Sequence, residues 1–84
     1  MKFVSGRPYA DPEAAARKLL DIVRASMTAS GLPHAYSGAT NTAFTQAGGS
    51  LQEYGAGRDY AQAKLWFRID RSGTRFELLP DGSE

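Results

Sequence analysis

Residues 48–64 read Gly-Gly-Ser-Leu-Gln-Glu-Tyr-Gly-Ala-Gly-Arg-Asp-Tyr-Ala-Gln-Ala-Lys, and this stretch decides the predicted fold. The two glycines end one segment of the chain. Ser50 and Glu53 then have the Ser-x-x-Glu spacing of a capping box, which predicts the start of a helix. At about 100° per residue, one face of this helix carries small and apolar residues, and we expect that face to be buried. Its members are Tyr54, Gly57, Ala61 and Leu65, with Leu51 and Arg58 on its edges.

A longer helix is predicted before this stretch. Asp11 is a suitable N-cap, Pro12 suits the first helical position, and Glu13 places an acid in the first turn. We expect the helix to run to about Ala29 and to end near Gly31. Its apolar stripe predicts a buried face made of Ala16, Leu19, Leu20, Ile22, Val23 and Met27. Residues 1–10 are predicted to be a flexible N-terminal arm, and residues 11–82 a single domain.

The segment between the two helices predicts a connector followed by a short helix. Thr40 is placed as the N-cap of a helix over Asn41–Ala47, with Phe44 and Ala47 facing inward. A short strand near residues 34–36 is also compatible with the pattern. His34 is the only histidine, and we interpret it as a surface or packing residue, because no metal-binding partner lies near it in sequence.

After the central helix, an alternation of apolar and polar residues predicts a β-hairpin. The first strand covers Leu65–Asp70, with Leu65, Phe67 and Ile69 on its inner face, and the second covers Thr74–Leu79. Ser72-Gly73 forms the predicted tip. Pro80-Asp81-Gly82 is expected to end the hairpin. The predicted fold class is therefore α+β, with three helices followed by a two-stranded hairpin around one core, to which we assign Leu19, Val23, Phe44, Tyr54, Ala61, Phe67 and Phe76.

Composition narrows the functional classes. A chain of 84 residues with 42% apolar and 23% charged residues is typical of one folded domain. Without cysteine it has no disulfide, thiolate metal site or cysteine nucleophile. No apolar run approaches the ~20 residues that span a bilayer, so we expect a cytoplasmic protein. Glu53 and Asp59 lie on different helix faces and do not form a carboxylate pair. We expect no enzyme activity, no catalytic residue, no metal and no cofactor.

The order of helix, short helix, glycine turn, helix and hairpin resembles the winged helix-turn-helix domains of bacterial transcription regulators. Gly48 matches a glycine that precedes the capping serine of the recognition helix by two positions in those families. Tyr54 and Ala61 match their apolar and small positions four and eleven residues past that serine. The segment Phe76-Glu77-Leu78-Leu79-Pro80-Asp81-Gly82 resembles their final strand, with Leu79 in place of a threonine.

A second resemblance is to a group of small uncharacterised proteins of rhizobia. It is carried by Arg7-Pro8-Tyr9-Ala10-Asp11-Pro12-Glu13-Ala14-Ala15-Ala16-Arg17-Lys18 and by Gly48-Gly49-Ser50. It implies no activity. Arg58 departs from the first resemblance, because those regulators usually have an aliphatic residue at that position.

The winged-helix resemblance implies double-stranded DNA as a partner and a role in transcription regulation. DNA would contact the helix over 50–64 and the wing over 65–79, and such proteins usually bind as homodimers. Over residues 50–76, five basic and three acidic residues give an excess of +2. The predicted DNA-binding residues are Thr42, Thr45, Gln46, Ser50, Gln52, Lys64, Arg68, Arg71 and Arg75.

The alternative is a protein-interaction or dimerisation module that does not bind DNA. The outward face of the central helix offers only Gln52 for base recognition, and it also carries Asp59. Gly55 and Gly57 each cost about 0.5–1 kcal/mol inside a helix, so we expect a compensating contact. The interface predicted for this alternative consists of Gly55, Ala56, Ala63 and Trp66.

Overall fold

The computed structural model describes residues 8–83, and the part of the predicted flexible arm that covers residues 1–7 lies outside them. The described residues form an α+β domain with four helices and a three-stranded antiparallel sheet. In chain order the elements are α1 (Pro12–Ser30), β1 (Ala35–Tyr36), α2 (Ser37–Gln46), α3 (Leu51–Ala63), β2 (Phe67–Ile69), β3 (Arg75–Leu78) and α4 (Pro80–Ser83).

Helix α1 has the ends that the sequence predicts. The Asp11 side chain accepts a hydrogen bond from the Ala14 amide at 3.2 Å, and Pro12 occupies the first turn. At the other end, Gly31 adopts a φ of 73° and donates its N–H to the Met27 carbonyl at 2.8 Å. The buried face of α1 consists of Ala15, Ala16, Leu19, Leu20 and Val23.

Helix α2 begins earlier than predicted, and the prediction that Thr40 caps it is wrong. The N-cap is Tyr36, whose extended backbone follows directly from β1. Thr40 lies inside the helix, fully buried, and its hydroxyl donates to the Tyr36 carbonyl at 2.9 Å. The pairing of Ala35 with Phe76 explains the shift, because it fixes the chain before Ser37 and lets the helix start there. Phe44 is buried as predicted, whereas Ala47 is exposed.

The turn between α2 and α3 has the two glycines and the capping box in the roles that the sequence predicts. Gly48, with a φ of 104°, donates its N–H to Thr45, and Gly49 donates to Phe44, both at 3.0 Å. These two bonds form a Schellman motif, in which a glycine adopts the left-handed conformation just past the helix. The capping box follows, since the Ser50 hydroxyl accepts from the Glu53 amide at 3.1 Å and the Glu53 carboxylate accepts from the Ser50 amide at 3.0 Å.

The predicted inner face of α3 is correct at Tyr54, Gly57 and Ala61, all of which are buried. It is wrong at Leu65, which is 59% exposed and has a φ of 61°. The Leu65 amide donates to Gln62 at 3.1 Å, and the next amide donates to Ala61 at 3.0 Å. Leu65 therefore ends the helix instead of starting a strand.

The hairpin forms over shorter strands than predicted, and the short strand that the sequence allows near residues 34–36 is present as β1 and joins the same sheet. β3 lies in the centre, paired with β2 through Ile69↔Phe76 and with β1 through Ala35↔Phe76. After the hairpin, Pro80–Ser83 forms one helical turn, and the Gly82 carbonyl accepts a hydrogen bond from the Arg24 guanidinium. All seven residues that we assign to the core from the sequence belong to one buried cluster.

Candidate interaction surface

The exposed face of α3 is small, nearly neutral and partly apolar. Leu51 is 75% exposed at the first position of the helix. Gln52, Ala56, Asp59 and Ala63 are exposed beside it. Of these, only Asp59 is charged, and its carboxylate lies 3.8 Å from the Arg58 Nε. This face can pack against apolar or small groups, but it offers no cation to a base edge or a phosphate.

The two glycines of α3 have different surroundings. A Cβ atom on Gly57 would lie 2.7 Å from the Ala15 Cβ, so Gly57 lets α1 and α3 approach closely. A Cβ atom on Gly55 would meet no atom within 4 Å. The close helix packing therefore compensates for the cost of Gly57, whereas no contact in the described part of the chain compensates for Gly55.

The hairpin carries the predicted arginines, but acids partly neutralise them. Arg68 donates to the Glu77 carboxylate at 2.7 Å from the opposite position on β3. Arg75 lies 4.0 Å from the Asp70 carboxylate. Adding Glu77 to the predicted footprint lowers its excess from +2 to +1. Arg71, in the turn, is exposed and has no ion pair among residues 8–83.

Asp70 has a structural role that the sequence does not reveal. Its carboxylate accepts hydrogen bonds from the amides of Thr74 at 3.0 Å and Arg75 at 3.1 Å, and from the Ser72 hydroxyl. Burial acts to raise the pKa of Asp70, but these hydrogen bonds and the Arg75 charge outweigh it and lower the pKa. Asp70 therefore holds the turn as an anion, and its charge lies among the arginines that would contact DNA.

The other predicted DNA-binding residues are dispersed. Thr42, Thr45 and Gln46 are exposed on α2, although the Thr45 hydroxyl is already bonded to the Asn41 carbonyl at 2.9 Å. The side chain of Ser50 is engaged in the capping box. At the end of α3, the Lys64 amine lies 5.7 Å from the centre of the Tyr60 ring. These groups supply hydrogen bonds and one further cation, but no concentrated positive surface.

Trp66, a predicted interface residue, is half-buried at the edge of the core. Its ring lies edge-on to Tyr60 with centroids 5.8 Å apart, and the Arg17 guanidinium carbon lies 5.3 Å from the Trp66 ring centre. Arg17 also pairs with the Glu13 carboxylate at 2.7 Å, and the Tyr60 hydroxyl donates to Glu13 at 3.1 Å. This cluster is not predictable from the sequence, apart from the four-residue spacing of Glu13 and Arg17, which is typical of an ion pair on one helix face.

These contacts shift two pKa values in the cluster. The hydrogen bond from Arg17, then that from Tyr60 and the Arg17 charge, lower the pKa of Glu13. Burial, followed by the hydrogen bond to Glu13 and its charge, raises the pKa of Tyr60. At neutral pH, Glu13 is therefore an anionic acceptor and Tyr60 a neutral donor.

The single histidine packs edge-on against Tyr36, with ring centroids 5.0 Å apart. Its Nε2 atom is buried and has no hydrogen-bond partner in the part of the chain that the structure describes. Within residues 8–83, no group of three His, Cys, Asp or Glu side chains is arranged to hold a metal ion. In the same range, no helix is long and apolar enough to cross a bilayer.

Over the described range, eight basic and eight acidic residues balance. The clearest feature of the surface is thus the exposed face of α3, which combines an exposed leucine with small residues. Comparisons with protein-family models, with curated proteins and with solved structures find no match to this chain.

Proposed function

We propose that residues 11–82 form a winged-helix-like domain whose α3 mediates protein interaction, with a second copy of the chain as its partner. The fold part of this proposal is supported by the four-residue turn that joins α2 to α3, since a short glycine-containing turn is typical of a helix-turn-helix. The hairpin β2–β3 follows α3 in the position of a wing.

The interaction proposal rests on the lack of neighbouring atoms around Gly55 within the described residues. A glycine in mid-helix costs about 0.5–1 kcal/mol relative to alanine. Gly57 is compensated by its contact with α1, but a Cβ atom on Gly55 would meet no atom of the described residues within 4 Å. A partner whose backbone approaches Gly55 closely would supply the missing compensation. Leu51 lies one turn earlier on the same side of α3, and at 75% exposure it would bury a large apolar area in the same contact.

The charge of the surface favours a protein partner over base recognition by α3. A DNA-reading helix needs donors and cations at its exposed positions, whereas α3 presents Leu51, Ala56 and Asp59. A nearly neutral face can meet its own copy without repulsion. Self-association also needs no second component.

The oligomeric state of the Ala56→Arg variant tests this proposal. We expect the parent to be dimeric by light scattering in the micromolar range and Ala56→Arg to be monomeric, because a long cation would be forced into a small-residue contact. Ala25→Arg is the matched control, since Ala25 is an exposed alanine on α1. If Ala25→Arg dissociates the dimer and Ala56→Arg does not, the contact lies on α1 and α3 remains free. A parent that is monomeric throughout the range contradicts the self-association proposal.

A second candidate function is DNA binding by the hairpin, and Arg71 favours it, because it is exposed and forms no ion pair with the described residues. Arg68 and Arg75 lie on the outer side of the sheet, because Phe67, Ile69 and Phe76 occupy the inner side. Such a hairpin would contact phosphates without reading bases, so its binding would be salt-sensitive and independent of sequence.

Anisotropy titrations at several salt concentrations test the DNA proposal. Replacing Arg71 and Arg75 with alanine should weaken binding to every duplex alike and reduce the salt slope by about one for each lost contact. Lys18→Ala removes a cation from α1 and serves as the control. Failure of the parent to bind any duplex at low salt would contradict this function.

A further inference from the structure

A cavity of about 270 Å³ opens between the start of α2, the middle of α3 and the hairpin. At ~30 Å³ per water molecule, it has room for roughly nine waters. Its polar lining comes from Ser37, Asn41, Tyr54 and Arg58, and its apolar lining includes Ile69 and Phe76. None of the described residues that line it is acidic. The cavity is therefore small, mixed in polarity and electropositive.

Tyr54 is the deepest polar residue of this lining. It is only 7% exposed, and its hydroxyl is not among the fully buried polar atoms that lack a partner, of which this lining has one, the acceptor Asn41 Oδ1. The Tyr54 hydroxyl forms no hydrogen bond with another described residue and can donate to an acceptor in the cavity. Burial raises the pKa of Tyr54 even though the Arg58 charge opposes the effect, so the hydroxyl is a neutral donor. A ligand acceptor in the cavity would complete its hydrogen bonding.

Arg58 supplies the positive charge. Its guanidinium carbon lies over the Tyr54 ring, 5.7 Å from the ring centre. Within residues 8–83, the only carboxylate at ion-pair distance from Arg58 is that of its chain neighbour Asp59, at 3.8 Å and largely exposed to solvent. An exposed pair of this kind is weak, so most of the donors of Arg58 remain available. Arg58 is also the residue that stands where winged-helix regulators usually have an aliphatic one.

The start of α2 lines the same cavity with Ser37 and Gly38. Tyr36 occupies the N-cap position without a side-chain hydrogen bond to the first turn. The amide of Ser37 is bonded to the Thr74 carbonyl at 2.8 Å. A Cβ atom on Gly38 would meet no atom within 4 Å, so its side of the helix is open. The first turn of a helix with no side-chain cap attracts negative charge through its N–H groups and its dipole.

We propose that this cavity binds a small organic carboxylate with an apolar body. The Arg58 fork matches the two oxygens of a carboxylate, and Tyr54 and the first turn of α2 supply further donors. The apolar side chains of Ile69 and Phe76 suit the body of such an acid better than they suit a fully solvated phosphate. The site touches α2, α3 and the hairpin together. It does not depend on the proposed function.

Benzoate is the probe, with benzamide as the neutral molecule of the same shape. In ¹H–¹⁵N correlation spectra of the full chain, benzoate should shift the amide signals of Ser37 and Gly38 saturably, and benzamide should not. Arg58→Gln should weaken benzoate binding about tenfold or more, because it removes the charge-assisted hydrogen bonds. Tyr54→Phe should weaken it a few-fold. Arg71→Gln removes a cation in the hairpin turn and should leave the affinity unchanged.

Gly38→Leu gives an independent test that does not touch the charge. A leucine there would occupy the open side of α2 without backbone strain and should block binding while the domain stays folded. The proposal is overturned if benzamide binds as tightly as benzoate, if Arg58→Gln binds as tightly as the parent, or if benzoate shifts no signal near the cavity. A folded Gly38→Leu variant with full affinity would also overturn it.

Discussion

Gly57 and Ala15 set the distance between the two main helices. A Cβ atom on Gly57 would lie 2.7 Å from the Ala15 Cβ and 2.9 Å from the Ala15 carbonyl carbon. Real Cβ atoms do not approach other atoms so closely, so α1 and α3 pack at a distance that only glycine allows. The packing of the buried cluster that includes Leu19 and Phe76 depends on this distance between α1 and α3.

Gly57→Ala should therefore destabilise the domain by about 1–3 kcal/mol, the usual cost of overpacking a core. The change brings the new methyl group against the Ala15 backbone, which cannot move aside as a flexible side chain could. Gly55→Ala is the matched control, since it lies on the same helix and faces open space. It should stabilise the monomer by up to about 1 kcal/mol. Urea unfolding of both variants measures the difference, and equal effects would contradict the close approach.

Phe67 and Phe76 should each contribute a large part of the total stability. Both are fully buried, and their ring centroids lie 4.9 Å apart across the hairpin. Replacing either with alanine should cost ~3–5 kcal/mol, against an expected total of about 4–12 kcal/mol for a domain of this size. Leu51→Ala, at an exposed leucine, should cost far less. Melting temperatures within a few degrees of the parent would show that the hairpin does not hold the core.

The starts of α1 and α3 and the core residues could be predicted from the sequence, because capping residues and the spacing of apolar residues determine them. Asp11 and Pro12 fix the start of α1, and Ser50 with Glu53 fixes the start of α3, whatever surrounds them. The start of α2 could not be predicted in the same way. It depends on Ala35 pairing with Phe76, 41 positions along the chain, and this pairing outweighs the capping preference of Thr40.

The sites were less predictable than the fold. The arginines of the hairpin were visible in the sequence, but their pairing with Glu77 and Asp70 depends on strand register and turn geometry. Gly55 and Gly57 look equivalent in sequence, and only the packing of α1 distinguishes them. The cavity beside Arg58 joins three elements that are far apart in the chain, so no local pattern could indicate it.

Glu13 should make the stability of the domain depend on acid pH. Its pKa in the folded state is held below the usual 4.5 by hydrogen bonds from Arg17 and Tyr60. A carboxyl with a lowered folded-state pKa stabilises the protein above its unfolded-state pKa, and this contribution is lost as the pH falls through the folded-state value. The difference in stability between the parent and Glu13→Gln should be constant near neutral pH and should shrink below about pH 4.5.

Thermal unfolding at a series of pH values measures this difference. Asp21→Asn is the control, because Asp21 is an exposed carboxylate of α1 without an ion pair among residues 8–83. Its difference from the parent should not show the same trend. If the Glu13→Gln difference stays unchanged down to the lowest pH, the contacts of Glu13 do not contribute to stability.

Leu65 should be a position at which glycine stabilises the protein. The C-terminal ends of α2 and α3 have the same Schellman hydrogen bonds. The residue in the left-handed conformation is Gly48 at the end of α2 and Leu65 at the end of α3. A residue with a Cβ atom loses about 1–2 kcal/mol in that conformation. Leu65 recovers little of this by burial, because it is 59% exposed. Leu65→Gly should therefore raise the melting temperature by roughly 4–8 °C, the shift expected for about 1 kcal/mol in a domain of this size.

Leu32→Gly is the control, since Leu32 is also exposed but does not have a positive φ, and it should lower the melting temperature. A loss of stability in Leu65→Gly equal to that in Leu32→Gly would mean that the apolar area that the Leu65 side chain does bury outweighs its backbone strain.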